Sequence, residues 1–144
     1  MATSSSEPTT RAGWLGRAFA YALIYVVVGV AFAALAGRSG FGGARVWRFA
    51  AWLCSAIAFG THVQFERVTA GRSQVATAWH AAFATAVGAF GLAFSAIIHR
   101  HLAGLRPSGL LGAALVLWPL ITIVPAFLVG LAAAMLMRPR GGTG

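Results

Sequence analysis

Aspartate and lysine are absent from this chain, and acid of any kind is scarce. Glu7 and Glu66 stand alone against eleven arginines, giving a net charge of +9. Without aspartate no Ser-His-Asp set can be assembled. No carboxylate falls in the middle of an apolar run, which argues against proton coupling through a mid-membrane Asp or Glu. Cysteine is reduced to Cys54, so an intramolecular disulfide and any cysteine-based zinc or redox motif are excluded. A lone thiol in an apolar run reads as a small buried hydrophobe. Charged residues are only 9% of the chain, where a soluble domain carries about 25%. The balance leans away from an enzyme.

What is present is hydrophobic: 59% of the residues, with a mean hydropathy of +0.80. A helix needs about 20 apolar residues to cross a hydrocarbon core of about 30 Å. Runs at about 18–36, 46–65, 75–98 and 110–137 meet that length. They predict an all-α integral membrane protein, a bundle of four transmembrane helices with short loops, in one domain over 14–138. The polar stretch 1–13 reads as a disordered tail and 139–144 as a flexible basic one. The first run exceeds the usual apolar core of a signal peptide and reads as an uncleaved span.

The arginines sit in ones and twos at the ends of these runs rather than along one face. That placement suits pairing with lipid phosphates. Arg17, Arg48, Arg67, Arg72, Arg100 and Arg138 are the candidate lipid-headgroup contacts, and nucleic acid is not an expected partner. With the N-terminus inside, six arginines (11, 17, 67, 72, 138, 140) fall on the cytoplasmic side and five (38, 45, 48, 100, 106) on the other. The positive-inside rule then leans only slightly toward both termini being cytoplasmic. Lysine-free, alanine-rich usage points to a GC-rich bacterial genome, and so to a bacterial inner membrane.

Along the chain, Trp14 fits an interfacial aromatic belt. Gly29, Ala33 and Gly37 recur at four-residue spacing, which lets a neighbouring helix approach closely. The glycine-rich linker 37–45 is no phosphate loop, since no strand precedes it and no Gly-Lys-Ser/Thr follows. Pro107 stops a helix in the loop before the last run. Within that run Pro119 and Pro125 predict a kink or tilt, with Thr122 placed to satisfy a freed carbonyl.

Ionisable side chains intrude into apolar sequence at one place, Ala58 to Ala82. It reads as a hairpin between the second and third spans, with Gly71 near the tip. His62 and His80 each lie nine residues from Gly71 and so reach similar depth. Glu66 is one turn beyond His62 on the same helix face. Three readings stay open. His62, Glu66 and His80 could hold a transition metal, the two histidines could ligate a haem, or the group could handle protons or a substrate. The favoured alternative has no cofactor: Glu66 pairs with Arg67 or Arg72 at headgroup level and the histidines hydrogen-bond at the interface. Such an exposed pair contributes about 0–1 kcal/mol. His99 and His101, about 28 Å from His80 along a helix, cannot share its site and suit a helix C-terminus near lipid phosphate.

Phe65-Glu66-Arg67-Val68, followed by Ala70, resembles a stretch of the MAPEG family, four-helix membrane enzymes of eicosanoid and glutathione metabolism. The resemblance covers about six residues. The family's asparagine falls on Gly71 and its downstream glutamate on Gln74, so the glutathione-binding pattern fails. The stretch also follows the second span here rather than the first, and no site carries across. The sequence therefore points to an accessory or structural subunit of a larger membrane complex, with the lipid bilayer, other membrane subunits or a second copy as partners. A metal- or haem-binding protein and a small oligomeric transporter are the alternatives.

Overall fold

The computed structural model describes residues 9–105 and 109–137. Expectations placed on 1–8, 106–108 and 138–144, including those for Pro107, Arg106, Arg138 and Arg140, lie outside the described residues. The described residues form four α-helices: α1 (Thr9–Arg38), α2 (Phe41–Gln64), α3 (Gln74–Leu102) and α4 (Gly109–Leu136). A single π-helical turn, Phe65–Thr69, continues α2. No strand occurs among the described residues. Helix α1 begins inside the stretch read as a polar tail.

The glycine-rich linker is mostly helix. Only Ser39 and Gly40 separate α1 from α2. Ser39 Oγ donates to Leu35 O (2.8 Å) and accepts from Trp47 Nε1 (3.0 Å), tying the two helices at the turn. The second hairpin turns at Gly71, whose φ of +63° favours a residue without Cβ. Ser73 then caps α3, its Oγ accepting from Ala76 N. At the other end of α3, Gly104 is left-handed (φ +70°), with Gly104 N bonded to His101 O and Leu105 N to Arg100 O. These two bonds form a Schellman cap and satisfy orphan carbonyls.

Helix α3 is the hub, packed on α1 and most extensively on α4, while α2 lies chiefly on α1. Its packing face is made of small residues: Ala78, Ala81, Ala82, Ala84, Ala86, Gly88 and Ala93 are buried. A Cβ on Gly88 would come within 2.9 Å of Tyr25 Cβ, so α1 and α3 cross where only glycine fits. On the α4 side, Gly130 sits against the Ala78 backbone. Contacts of Phe32 with Trp47 and Tyr21 with His62 show α2 antiparallel along α1.

The interior inverts the pattern of a soluble core. Its largest fully buried side chains are His62, Glu66, Val63 and Thr77, three of them polar. Large apolar residues face outward on every helix, among them Phe19, Val27, Trp52, Phe94 and Leu128. Three helical segments, Gly13–Arg38, Gln74–Leu102 and Gly112–Leu136, are long and apolar enough to cross a membrane. Helix α2 is long enough at 24 residues but less apolar, because Arg48, Thr61 and His62 dilute it.

Helix α4 runs unbroken through Pro119 and Pro125. The Thr122 hydroxyl donates to Trp118 O (2.8 Å) and Pro119 O (3.1 Å). Those are not the carbonyls the prolines free, which belong to Leu115 and Ile121. A hydroxyl reaches back only three or four residues, so Thr122 is out of register for both.

Candidate functional site

Four residues of α1 set the site. Trp14, Arg17, Tyr21 and Tyr25 follow at spacings of three, four and four, which puts them on one helix face. That face meets the polar side chains of the second hairpin in matched order. Trp14 stacks on His80 (centroids 4.4 Å apart, planes within 4°), and Tyr21 stacks on His62 (4.2 Å, 6°). Between them, Arg17 Nε donates to Glu66 Oε1 at 2.9 Å.

Glu66 is 0% exposed and both its oxygens are used, since Oε2 bonds His80 Nδ1 at 2.7 Å. When ionised, that carboxylate only accepts, and His80 Nδ1 is then the donor. The Arg17 guanidinium also lies 5.3 Å above the Phe65 ring, a favourable cation–π position. Pairing Arg17 with Glu66, the one buried carboxylate among the described residues, offsets charge with charge and limits the cost of removing the pair from water. The π-turn is where the chain delivers Glu66: Ala70 N bonds Phe65 O and Arg72 N bonds Glu66 O, closing wider rings than an α-helix makes.

Glu66 was expected to pair with Arg67 or Arg72 at headgroup level. It is buried and pairs with Arg17 instead. Arg67 turns the other way, donating from Nε to Ala134 O (3.2 Å) and from Nη1 to Arg72 O (2.9 Å). Its charge thus serves the C-terminal carbonyls of α4, a favourable place for a cation. Arg17 and Arg67, both read as headgroup contacts, therefore have protein partners. Arg48 is exposed, and Arg72 and Arg100 are half-buried.

His62 and His80 both reach the α1 face, one turn on either side of Arg17, yet only His80 bonds Glu66. The His62 ring is fully buried with neither nitrogen hydrogen-bonded, and Thr77 Oγ1 and Tyr25 Oη are likewise buried and unpartnered. Among the described residues no group of three or more His, Cys, Asp or Glu side chains is placed to hold a metal ion.

Sequence reasoning missed the contribution of α1. Trp14 and Arg17 were assigned to the membrane interface and Tyr21 to no role. A signal was present: the chain's two tyrosines share one helical stripe with Trp14 and Arg17.

No protein-family model, curated protein or solved structure matches this chain. Its class rests on the fold: an all-helical protein with three helices long and apolar enough to span a membrane.

Proposed function

We propose that the chain is a multi-pass inner-membrane protein of a bacterium, a bundle of four transmembrane helices, that serves as an accessory or structural subunit of a larger membrane complex. The supporting observation is the inverted packing, with alanine, glycine and polar groups inside and large apolar side chains outside. Lipid and partner helices demand that pattern, because burying apolar surface gives no advantage over contact with acyl chains. Helix α2 crosses as well in this reading. Its 24 residues make about 36 Å of helix laid antiparallel along α1, with His62 buried near one end and Arg45 and Arg48 exposed near the other. Both termini then lie on the cytoplasmic side.

The Arg17–Glu66–His80 cluster acts in this role as a clamp that fixes α1 to the second hairpin. It is closed: Glu66 has no free oxygen, and Trp14 and Phe65 cover its partners. The outer face of α2 offers Phe49 and Trp52 to a neighbour. Purification of the tagged full-length chain in mild detergent tests the reading. One membrane protein should co-purify in fixed ratio and be lost on combining Phe49→Ser with Trp52→Ser. A chain that purifies alone and carries flux when reconstituted would overturn it.

One observation favours a second reading, a metal or haem held through a histidine: both nitrogens of buried His62 are unpartnered. An absorbance spectrum and metal analysis of the purified protein, beside His62→Ala, test it. A Soret band or stoichiometric metal lost in the variant would support a cofactor, and a colourless, metal-free protein would contradict one.

A further inference from the structure

Beyond Gly29 the C-terminal halves of α1 and α3 flank an open groove of about 590 Å³. Its walls are Gly29, Ala33 and Gly37 on α1 and Ala96 on α3, with Arg38 and His99 at its mouth. We propose that this groove seats one acyl chain of an anionic phospholipid whose phosphate rests on Arg38 and His99. The inference rests on the membrane reading above and goes beyond it.

Three observations carry it. First, shape: Gly29 to Arg38 is nine residues, about 13 Å of helix, so the groove runs from the helix end well into the span. Ala33, Gly37 and Ala96 are exposed along it, which makes it open sideways, toward lipid, rather than only toward water. Second, polarity: the Ser95 hydroxyl within the groove is already spent on Gly91 O at 2.8 Å. Polar demand is left at the mouth alone. Third, charge: Glu66 is the only carboxylate among the described residues, and Arg17 and His80 hold it 21 residues down α1 from Arg38. On a rise of 1.5 Å per residue that is about 32 Å away. The cations at this end, which include Arg48 beside a neighbouring cavity of about 340 Å³, have no described carboxylate nearby. An anionic headgroup is the partner that complements cation and apolar groove together. A soluble anion would use only the mouth, and a second copy of the chain would bring more positive charge.

Native mass spectrometry of the full-length protein, titrated in mild detergent with dioleoyl phosphatidylglycerol or dioleoyl phosphatidylcholine, tests the proposal. The wild type should retain one phosphatidylglycerol at concentrations about five-fold lower than phosphatidylcholine, the scale expected for one arginine at a membrane surface. Arg38→Gln, an exposed site, should erase the preference. Ala33→Leu should fill the groove and lower retention of both lipids, with circular dichroism confirming the helices. Equal retention of the two lipids by the wild type, an undiminished preference in Arg38→Gln, or a lipid-independent dimer would overturn it. A chain that stays soluble without detergent would instead sink the membrane reading itself. A protein that needs detergent but shows no preference sinks only this inference.

Discussion

Arg17 and Glu66, 49 residues apart in sequence, meet through a 2.9 Å bond from Nε to Oε1. It joins the first helix to the end of the second in the part of the interior where the largest side chains are polar. With Glu66 fully buried and the Arg17 side chain about one-third exposed at 33%, the pair is neither a surface ion pair nor a fully desolvated one. Breaking a buried pair from one side costs about 3–5 kcal/mol and an exposed one about 0–1.

Glu66→Gln should therefore lower stability by about 2–4 kcal/mol, more than the minor loss expected of an interfacial pair. Reversible unfolding in mixed micelles would measure it. Adding Arg17→Gln should recover part of the loss, because the second change removes the charge left without a partner. A loss below about 0.5 kcal/mol for Glu66→Gln would show that the carboxylate is hydrated rather than buried.

Two glycine substitutions should behave oppositely. Gly88→Ala places a methyl against Tyr25 Cβ, an atom with no freedom to swing away, and should cost about 1–3 kcal/mol. Gly37→Ala meets nothing within 4 Å and should be neutral or stabilising by up to about 1 kcal/mol. Melting temperatures of both variants in one detergent give the comparison. Equal effects would mean that the α1–α3 crossing is looser than the structure has it.

His62 separates shape from chemistry. Its ring stacks on Tyr21 while both nitrogens lack partners, so His62→Phe keeps the stack and removes the unpaired atoms. Stability should stay within about 1 kcal/mol of wild type, while His62→Ala should lose about 3–5 kcal/mol through the cavity it leaves. If His62→Phe proves as damaging as His62→Ala, the ring nitrogens have a bonding role.

Arg67 bridges the hairpin tip to α4 through the carbonyls of Arg72 and Ala134. Arg67→Met should loosen the C-terminal end of α4, raising its amide hydrogen exchange while leaving the α1–α3 contacts protected. Arg67→Lys should restore little, since one ammonium on a flexible stem lacks the planar fork that reaches both carbonyls. Exchange unchanged in both variants would mean that Arg67 does not hold the end of α4.

The sequence made some of this legible and hid the rest for physical reasons. Run length gave the four helices, and nine-residue symmetry about Gly71 located the hairpin that carries Glu66 and both histidines, whereas the glycine-rich stretch 37–45 read as a linker is mostly helix. Periodicity also kept His62 and Glu66 on one face. The partner of Glu66 was hidden because an arginine near a helix end can snorkel to lipid or turn inward, and local sequence does not decide between them. Arg17 turns in because α1 runs antiparallel to α2 and brings it level with Glu66. The same ambiguity concealed Trp14, which packs on His80 as well as it would sit in an aromatic belt. Thr122 was expected to satisfy a carbonyl freed by a proline, but its hydroxyl reaches only Trp118 O and Pro119 O, whereas the prolines free those of Leu115 and Ile121.

In the proposed topology all four helices cross, the less apolar α2 among them. Single cysteines at the two ends of the second helical segment, Gly40→Cys and Thr69→Cys, each in a Cys54→Ala background, decide whether it does. Labelling sealed membrane vesicles with an impermeant maleimide then reports the side on which each lies. The expected result is labelling from opposite sides, with Thr69→Cys facing the cytoplasm. Both positions labelling from the same side would mean that α2 does not cross, and the reading of four transmembrane helices would have to be abandoned.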